Sequence, residues 1–317
     1  MFFGTFRYLR RDGSFEINSD AFMISVLIVT HNNAGDIRPC LDSLLREPDP
    51  IQILVMDNRS SDRTRDAVRA FMRANPGREV RMTANATNGG YAAAVNQGLK
   101  RARGEWICIL GPDTRIHAGT LQTLRKKLEL HPDAAIAAPQ LLRPDGSVQP
   151  SCRRFPRVRD ALLELSGLPR LFSRTWASQW KMPDFDHRSE RFVDQPEATC
   201  LLVRRTAVES VGGMDERFPI FFNDVDWCRR FRMTGWRILF TPDAKVIHLR
   251  GTSVSVRPAP MIWKSHQGFY RYFRKYPATR LQKSLLPCFG MLLIWTASLR
   301  SAAAAAGIRR AGLREPK

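Results

Sequence analysis

Ile24-Ser-Val-Leu-Ile-Val-Thr30 is apolar at five of its seven positions and ends in a hydroxyl side chain. A short run this rich in Ile and Val is typical of a strand that is buried on both faces, as strands of parallel sheets are. Similar runs at 51–57 and 106–110 are separated from it by segments with apolar residues at helical spacing. This alternation predicts βαβ units, and therefore an α/β fold whose mostly parallel sheet carries helices on both faces.

The same alternation divides the chain into segments. It continues to about residue 139, lapses through the Pro- and Arg-rich residues 140–198, and resumes at Thr199-Cys-Leu-Leu-Val203. A long segment without clear periodicity inside a compact domain usually serves a function. We therefore expect three parts: a polar N-terminal extension over 1–23, a large domain over 24–256 that contains the insertion 140–198, and a tail over 257–317.

The tail carries most of the net charge. The formal charge is +20 and the sequence pI is about 10.6, yet residues 257–317 alone hold twelve Lys and Arg against the single Glu315. Such an excess predicts a polyanionic partner, which is nucleic acid, anionic lipid headgroups or a phosphorylated substrate. Aromatic residues alternate with the basic ones between Trp263 and Tyr276, which fits a membrane surface or single-stranded nucleic acid.

One part of the tail, Ser284–Leu299, has no charged residue over sixteen positions. As a helix it would span about 24 Å, which is less than the roughly 30 Å hydrocarbon core of a bilayer. We expect an interfacial or re-entrant segment with its basic flanks on an anionic membrane surface, and a helix buried against the large domain is the alternative. Because the N-terminus lacks the apolar core of a signal peptide, we expect a peripheral protein on the cytoplasmic face of the plasma membrane.

Polar side chains follow three of the predicted strands. Ligands of open parallel sheets bind outside the carboxyl ends of the strands, so these residues are candidates for a binding site. A single Asp after a strand is commonly a turn or helix cap, and we assign Asp62 that role. Three polar strand ends in one sheet are harder to explain as caps. The candidates are Thr30, Asn32, Asp57, Asn58 and Asp113.

A glycine turn, Asn88-Gly89-Gly90, precedes an Ala-rich helical pattern. Glycines at a helix N-terminus suit a phosphate or nucleotide, because backbone N–H groups point outward there. The same three residues also form ordinary turns. Neither a Walker P-loop nor G-x-G-x-x-G is present, which disfavours a nicotinamide-dependent Rossmann enzyme.

The cluster Asn223-Asp-Val-Asp226 contains a candidate general base. Asp224 is followed one helical turn later by apolar residues, and a carboxylate in such surroundings can have the raised pKa that a general base needs. The alternative is that Asp224 only caps the helix. Asp226 precedes Arg229 and Arg230 at helical spacing, so we expect it in a surface ion pair.

His248 ends the short predicted strand Lys245–His248. A lone His is more often structural, but this one lies where the strands of the second half should converge. It could ligate a divalent metal ion together with Asp113.

Five ordered segments resemble the inverting glycosyltransferases of family two, which have the GT-A fold, and within them the rhamnosyltransferase-like branch. The match runs in order over about 24–255, roughly three quarters of the chain. The segments are Val26–Asn32, Leu54–Thr64, Asn88–Gly98, Gly104–Thr114, and the block from Leu201 to His248 with Val211–Glu216 and Asn223–Asp226.

The resemblance implies roles for the matching positions. The strand-end residues would hold the nucleotide sugar. The residue that stands where the family has its DxD motif would bind the metal. The Asp of the family's Glu-Asp motif would accept the proton of the acceptor hydroxyl. The residues are Thr30, Asn32, Asp57, Asn58, Asn88, Gly89 and Asp113 for the nucleotide sugar, Asp113 and His248 for Mg²⁺ or Mn²⁺, and Asp224 for the base.

The implied reaction is an inverting transfer of a sugar, rhamnose by analogy, from a nucleotide-diphosphate donor. The implied acceptor is a polyprenyl-diphosphate-linked or other saccharide in bacterial surface polysaccharide synthesis, with residues 140–198 on the acceptor side. Three positions depart from the family pattern. They are His31 in place of Tyr, Gly111 in place of the first DxD carboxylate, and Asn223 in place of the Glu beside the base.

Two alternatives follow from the same features. The basic tail would suit a nucleic-acid-binding protein, but its charge accompanies a long apolar run and the main domain carries acids where ligands should bind, so we expect no nucleic-acid partner. Gly111 and Asn223 would suit a catalytically degenerate assembly partner of a glycosyltransferase.

Overall fold

The computed structural model describes residues 7–9, 15–17, 23–166, 179–249 and 258–305. The strands are β1 (Arg7–Leu9), β2 (Phe15–Ile17), β3 (Ile24–Thr30), β4 (Ile51–Asp57), β5 (Glu79–Ala84), β6 (Trp106–Leu110), β7 (Thr114–Ile116), β8 (Ala134–Leu142), β9 (Val148–Gln149), β10 (Cys152–Arg153), β11 (Arg191–Phe192), β12 (Gln195–Pro196), β13 (Cys200–Arg204) and β14 (Arg237–His248). The helices are α1 (Ile37–Leu44), α2 (Thr64–Ala74), α3 (Tyr91–Leu99), α4 (Thr120–Leu130), α5 (Val158–Ser166), α6 (Arg205–Val211), α7 (Asn223–Met233), α8 (Pro258–Lys275), α9 (Arg280–Ser284) and α10 (Leu286–Ala305), with a 3₁₀ turn at Gln179–Lys181.

The central sheet is mostly parallel, as predicted. Its main path runs in the order β11-β14-β8-β13-β6-β3-β4-β5, with β7 paired to β14 and β9 paired to β8. Strands β3, β4, β5 and β6 run parallel, and β13 lies antiparallel between β6 and β8. Because β13 is antiparallel to both of its neighbours, β8 runs in the same direction as β6. β14 pairs in parallel with β8 and therefore also runs in this direction. The carboxyl ends of six strands therefore share one edge of the sheet.

The short predicted strand Lys245–His248 is the end of a longer strand. β14 runs without a break from Arg237 to His248, and its register against β8 shifts between Thr241 and Lys245. A β-bulge adds a residue and bends the strand without ending it, so the sequence pattern looks interrupted where the strand is continuous.

Helices cover both faces of the sheet. Successive side chains of a strand point to opposite faces, so Ile24, Val26 and Ile28 join the apolar cluster under α1, α2 and α4. Leu27 and Val29 join the cluster under α3, α6 and α7. This double burial is the physical reason for the nearly continuous apolar run in the sequence.

The C-terminal helices dock on the sheet domain through a third apolar cluster. It joins Phe218 and Val225 of the main domain and Ala161 of α5 to α8 and α10. The residues contributed by α8 and α10 are Phe269, Tyr272, Phe273, Phe289 and Leu293. The prediction that the tail aromatics face a membrane or a nucleic acid is wrong for Phe269, Tyr272 and Phe273, which are buried because they fill this cluster.

The two faces of α10 differ. Phe289, Leu293 and Ala297 are buried against the protein, whereas a second set of apolar side chains on the same helix is exposed. No helix among the described residues is long and apolar enough to cross a bilayer. The exposed set on α10 is Leu292, Leu299, Ile294, Met291 and Trp295.

Candidate active site

Asp113 and His248 meet at the edge where the parallel strands end. The antiparallel pairing of β14 with β7 places His248 opposite Thr114, so His248 and Asp113, which are 135 positions apart in sequence, become neighbours. The Nε2 atom of His248 lies 3.3 Å from Oδ2 of Asp113, and the backbone N–H of Leu249 donates to the Asp113 carbonyl at 3.0 Å. Both side chains are largely buried, with exposed fractions of 11% for His248 and 18% for Asp113.

Gln149 orients the imidazole of His248 from the other side. Its Nε2 atom lies 3.0 Å from Nδ1 of His248, while its Oε1 is buried and has no hydrogen-bond partner among the described residues. Rotating the amide by half a turn would place Oε1 against Nδ1–H and leave Nε2 of His248 with a free lone pair. Metal-bound His residues ordinarily donate their second N–H in this way, so the side chains present fit a metal ligand at His248.

Gly111 occupies a crowded position beside Asp113. A Cβ atom at residue 111 would lie 3.0 Å from Oδ1 of Asp113 and 3.4 Å from the carbonyl oxygen of Thr199. The backbone N–H of Gly111 donates to that same carbonyl at 2.8 Å. A side chain here would make the Asp113 carboxylate shift by a few tenths of an ångström, so the glycine lets this carboxylate keep its present position.

Asp224 lies at the first turn of α7, half-buried. Its Oδ1 accepts a hydrogen bond from the backbone N–H of Val225 at 2.8 Å, and its Oδ2 accepts one from the N–H of Ala198 at 3.3 Å. Burial raises the pKa of Asp224 above its ordinary value, and these two hydrogen bonds only partly offset that effect. No basic side chain forms an ion pair with Asp224 among the described residues, as the sequence predicted.

The link 198–199 joins the two carboxylate sites. It enters β13 at the same sheet edge, because β13 runs antiparallel to its neighbours. Ala198 donates to Asp224, and Thr199 accepts from Gly111 in the segment of Asp113. Asp113, Asp224 and His248 are therefore assembled around one short piece of backbone.

Tyr91 is a site residue that the sequence reasoning missed. Its hydroxyl donates to the Ala198 carbonyl at 3.4 Å, and burial together with the charges of Asp224 and Asp113 raises the pKa of the phenol. The phenol thus lies within electrostatic reach of both carboxylates. Its position directly after the predicted glycine turn was the available clue.

The glycine turn itself is shaped by contact with residue 219. Gly90 has a φ of +93°, and a Cβ there would lie 2.8 Å from the Pro219 Cβ. The N–H of Tyr91 donates to the Pro219 carbonyl at 2.6 Å, so this N–H does not point to a free anion site. Asn88 is exposed, and its Oδ1 accepts from the N–H of Gly90 at 3.0 Å, which leaves Gly89 at the exposed tip of the turn.

Thr30 and Asp57 form a buried polar centre at the ends of β3 and β4. The Thr30 hydroxyl donates to Oδ1 of Asp57 at 3.0 Å, and Nε of Arg65 lies 2.6 Å from Oδ2. Burial acts to raise the pKa of Asp57, but hydrogen bonds from Ser60 and Arg65 outweigh it and hold the pKa below its ordinary value. Asp57 is therefore an anion whose described partners all belong to the protein itself. One of them, Arg65, was not identified from the sequence.

Asn32 and Asn58 hold the loops that follow these two strands. Asn32 is exposed, has a φ of 60°, and accepts at Oδ1 from the N–H of Ser61 at 2.8 Å. Asn58 is buried and donates from Nδ2 to the Gly90 carbonyl at 3.0 Å. The three loops after β3, β4 and β5 are thus connected by side-chain hydrogen bonds. Asp62, predicted as a cap, accepts from the N–H of Thr64 at 3.0 Å.

Asn223 does not face the site. Its Nδ2 donates to the Ile220 carbonyl at 3.1 Å and its Oδ1 accepts from the N–H of Asp224 at 2.7 Å, so both ends of the amide hold the turn before α7. It is 3% exposed. The amide at position 223 therefore serves the backbone that positions Asp224.

Asp226 is not in a surface ion pair, which corrects the prediction. It is 0% exposed and contacts Nε of Arg230 at 2.9 Å, Nζ of Lys275 at 2.6 Å and the hydroxyl of Tyr276 at 2.8 Å. Lys275 also lies 2.7 Å from Asp215. The sequence spacing identified one partner, but the last residue of α8 and the residue after it supply the others and cover the carboxylate.

The described residues contain no group of three or more His, Cys, Asp or Glu side chains placed to hold a metal ion. Asp113 and His248 therefore supply two protein ligands at most. Mg²⁺ and similar ions keep several waters and bind largely through substrate phosphates, so a site with few protein ligands is chemically sound.

Comparison with known proteins places this site in context. The model of the family described as glycosyl transferase family 2 matches residues 25–180. The chain is 30% identical over 261 residues to the N-acetylglucosaminyl-diphospho-decaprenol L-rhamnosyltransferase of Mycobacterium tuberculosis, which covers 78% of this chain and 83% of that protein. It is 23% identical to the rhamnosyltransferase WbbL of Escherichia coli, over 71% of this chain and 83% of WbbL.

A solved structure shares the fold. The mannosyltransferase PcManGT of Pyrobaculum calidifontis, in complex with GDP-Man and Mn²⁺, matches with a TM-score of 0.56 at 22% identity, over 90% of this chain and 75% of that one. The predicted GT-A type of α/β fold is confirmed by this match.

Proposed function

Since this chain belongs to glycosyltransferase family 2 and is a nucleotide-sugar-dependent glycosyltransferase, we propose that it transfers rhamnose, with inversion, to a saccharide on a polyprenyl diphosphate in bacterial surface polysaccharide synthesis. The name of the Mycobacterium tuberculosis relative supports both the sugar and the acceptor. The nucleic-acid-binding alternative is set aside, because family membership gives the chain an enzymatic activity.

One observation carries the proposal: Asp113, His248 and Asp224 are assembled around the link 198–199 at the carboxyl edge of the sheet. A transferase of this kind needs a diphosphate site and a base on opposite sides of the reacting carbon. Asp113 and His248 form the first side and Asp224 the second. The degenerate-partner alternative does not account for a carboxylate that burial keeps basic.

Asp224 is the proposed general base. Its raised pKa and the lack of a described basic partner make it a better proton acceptor than an ordinary surface Asp. It would accept the proton of the acceptor hydroxyl as that oxygen forms a bond to the anomeric carbon. The bond from that carbon to the nucleotide diphosphate breaks on the opposite face, and this single displacement inverts the configuration.

The proposed metal site consists of Asp113 and His248 with the donor phosphates. A bound Mg²⁺ or Mn²⁺ would supply positive charge where the leaving diphosphate gains negative charge. Asp113 holds one carboxylate in place beside Gly111, and Gln149 holds the imidazole. The Mn²⁺ bound in PcManGT supports a divalent cation.

The nucleotide is proposed to lie across the loops after β3, β4 and β5. Asp57 and Thr30 form the floor, and Asn32, Asn58 and the turn Asn88–Gly89 hold the loops around it. Because Asp57 is buried, we expect it to act chiefly by fixing these loops, with a nucleotide displacing one of its present hydrogen bonds. Residues 140–198 are proposed to shape the acceptor side.

The protein is proposed to act as a peripheral protein at the cytoplasmic face of the plasma membrane, where polyprenyl-linked acceptors lie. The exposed apolar face of α10 supports this proposal. Residues 258–305 contain seven Lys and Arg and no acidic residue, which suits anionic headgroups.

The test is an incubation of purified protein with a panel of nucleotide sugars, Mg²⁺ or Mn²⁺, and a short-chain diphosphate-linked N-acetylglucosamine. We expect release of one nucleotide diphosphate, dependent on acceptor and on metal, with a nucleotide-diphosphate rhamnose as donor. Transfer from a different nucleotide sugar would change the proposed sugar and leave the proposed reaction class unchanged. Absence of transfer from every donor would contradict the proposed function.

A further inference from the structure

A cavity lies outside the active site, between the insertion, α7 and the end of α8. It is open, with a volume of about 840 Å³. Five arginines line it, against the two acids Asp160 and Asp194. The arginines are Arg154, Arg157, Arg159, Arg229 and Arg232.

The acidic side chains of the cavity are occupied by the protein itself. Asp160 accepts from the N–H of Arg157 at 2.8 Å, and Asp194 accepts from the N–H of Phe155 at 3.1 Å. The guanidinium groups of Arg157 and Arg232 are exposed and form no hydrogen bond or ion pair with the described residues. Two arginines are thus available for an anion, and guanidinium groups bind phosphate oxygens in pairs.

Arg229, which also lines the cavity, is held by aromatic side chains. Its Nη1 donates to the Tyr272 hydroxyl at 2.7 Å, and its guanidinium carbon lies 4.5 Å from the ring centre of Tyr276. Arg229 follows Asp224 by five residues on α7, so it lies about 7–8 Å further along the helix axis and its side chain is turned about 140° from that of Asp224. One side of α7 therefore contributes to the site of Asp224 and another side contributes to the cavity.

An apolar groove of about 280 Å³ adjoins the cavity, and Val158 and Gln282 line both. Its other walls include Leu281, Leu285 and Phe289. Leu285 begins a row that continues at seven-residue spacing on the exposed face of α10, with Leu292 and Leu299. The groove beside the arginine cavity therefore lies at the start of the exposed apolar face of α10.

We propose that the arginine cavity binds the diphosphate of the polyprenyl-linked acceptor and that the groove holds its first isoprene units. The identity of this ligand rests on the proposed function, while its chemistry follows from the cavity. The saccharide would extend from the diphosphate toward Asp224, and the remaining lipid would stay in the bilayer beneath α10.

The first test measures binding of farnesyl diphosphate, a soluble prenyl diphosphate, by titration calorimetry or the fluorescence of Trp180, which lines the cavity. We expect Arg157→Ala and Arg232→Ala each to weaken binding about tenfold. The matched control is Arg73→Ala, an exposed arginine on α2 at the other end of the sheet. Unchanged binding in both cavity variants would overturn the proposal.

The second test separates the lipid from the phosphate. We expect Leu285→Ser to weaken farnesyl diphosphate several-fold and to leave inorganic diphosphate unchanged. Leu285 is 52% exposed, so the substitution removes no core contact. Inorganic diphosphate binding as tightly as farnesyl diphosphate would overturn the assignment of the groove.

The third test uses catalysis. Arg157→Ala and Arg232→Ala should raise the KM for a diphosphate-linked acceptor about tenfold, and leave unchanged both donor affinity and the KM for an alkyl glycoside acceptor without diphosphate. An equal rise in KM for both acceptors would contradict the proposal that the cavity binds the acceptor diphosphate. If no donor supports transfer but farnesyl diphosphate still binds through the arginines, the proposed function fails and the cavity stands.

Discussion

Asp224 owes its proposed role to its surroundings, because a carboxylate is normally too weak a base. The backbone gives it two N–H donors and no described side chain neutralises it, while burial raises its pKa. Its raised pKa is closer to the working pH than that of an ordinary Asp, and general-base catalysis is most efficient when the two values are close.

Replacing Asp224 with Asn should lower kcat by about 10²–10⁴ at neutral pH, since the amide cannot accept the proton. The matched control is Asp133→Asn at the opposite end of the sheet, where a surface carboxylate contacts Arg237. Activity should change little in that variant. Wild-type product formation by Asp224→Asn would remove Asp224 as the base.

The pH profile follows from the same residue. Only deprotonated Asp224 accepts a proton, so kcat/KM should fall as the pH drops through its pKa. Because that pKa is raised, the acidic limb should lie above the ordinary Asp value of about 3.9. The profile is measured for the wild type and for the control Asp133→Asn. An acidic limb at or below the ordinary Asp value would show that another group controls the profile.

Substitution of Gln149 tests the metal proposal without replacing either of the proposed metal ligands. Gln149→Leu removes the contact to His248, and losing the hydrogen-bond partner of a metal-binding His typically weakens metal affinity about 10- to 100-fold. The metal concentration for half-maximal activity should rise accordingly, with Mn²⁺ binding measured directly by electron paramagnetic resonance. The variant Gln149→Glu, whose carboxylate can still accept from Nδ1–H of His248, should recover most of the metal affinity. Failure of both predictions would show that Gln149 does not influence metal binding.

At the scale of elements, α8 is held by charge as well as by apolar contacts. Lys275 bridges Asp226 and Asp215, and the Asp226 carboxylate is fully buried. Removing one member of such a cluster leaves a buried charge without its partner. The docking of α8 and α10 on the sheet domain therefore depends on this residue.

Lys275→Met should lower the free energy of unfolding by about 3 kcal/mol, measured by urea denaturation. Lys264→Met, an exposed residue of the same helix, is the control and should have little effect. Adding Asp226→Asn to Lys275→Met should recover part of the loss, because the buried charge is gone. Equal stability of the two single variants would show that the cluster does not hold α8.

At the scale of the whole molecule, the active site, the arginine cavity and the exposed face of α10 follow one another. The first two are linked by α7 and the last two by the groove beside Leu285. An acceptor that spans all three would keep its lipid in the membrane while its sugar reaches Asp224.

Trp295→Ser should weaken binding to anionic phospholipid vesicles about tenfold, because Trp295 is 61% exposed and the helix would lose apolar contact with the bilayer. Binding is measured by vesicle sedimentation at low and high salt. Leu130→Ser on α4, where the side chain is 73% exposed, is the control. Equal binding of wild type, variant and control would exclude this face of α10 as the membrane contact.

The sequence alone determined the fold class and most of the candidate residues. Buried parallel strands require apolar runs such as 24–30, and the ends of these strands must meet at one edge, so Asp57 and Asp113 could be chosen from their positions. Asp224 could be chosen because helical spacing shows which residues share its surroundings. These are local rules, and they do not depend on distant contacts.

Only the tertiary structure decided the rest. Asp226 became buried because α8, almost fifty residues later, covers it, and Tyr91 entered the site through contacts with residues 198 and 219. The arginine cavity joins residues from three parts of the chain. Contacts between residues far apart in sequence follow from packing the whole chain at once, and no local pattern records them.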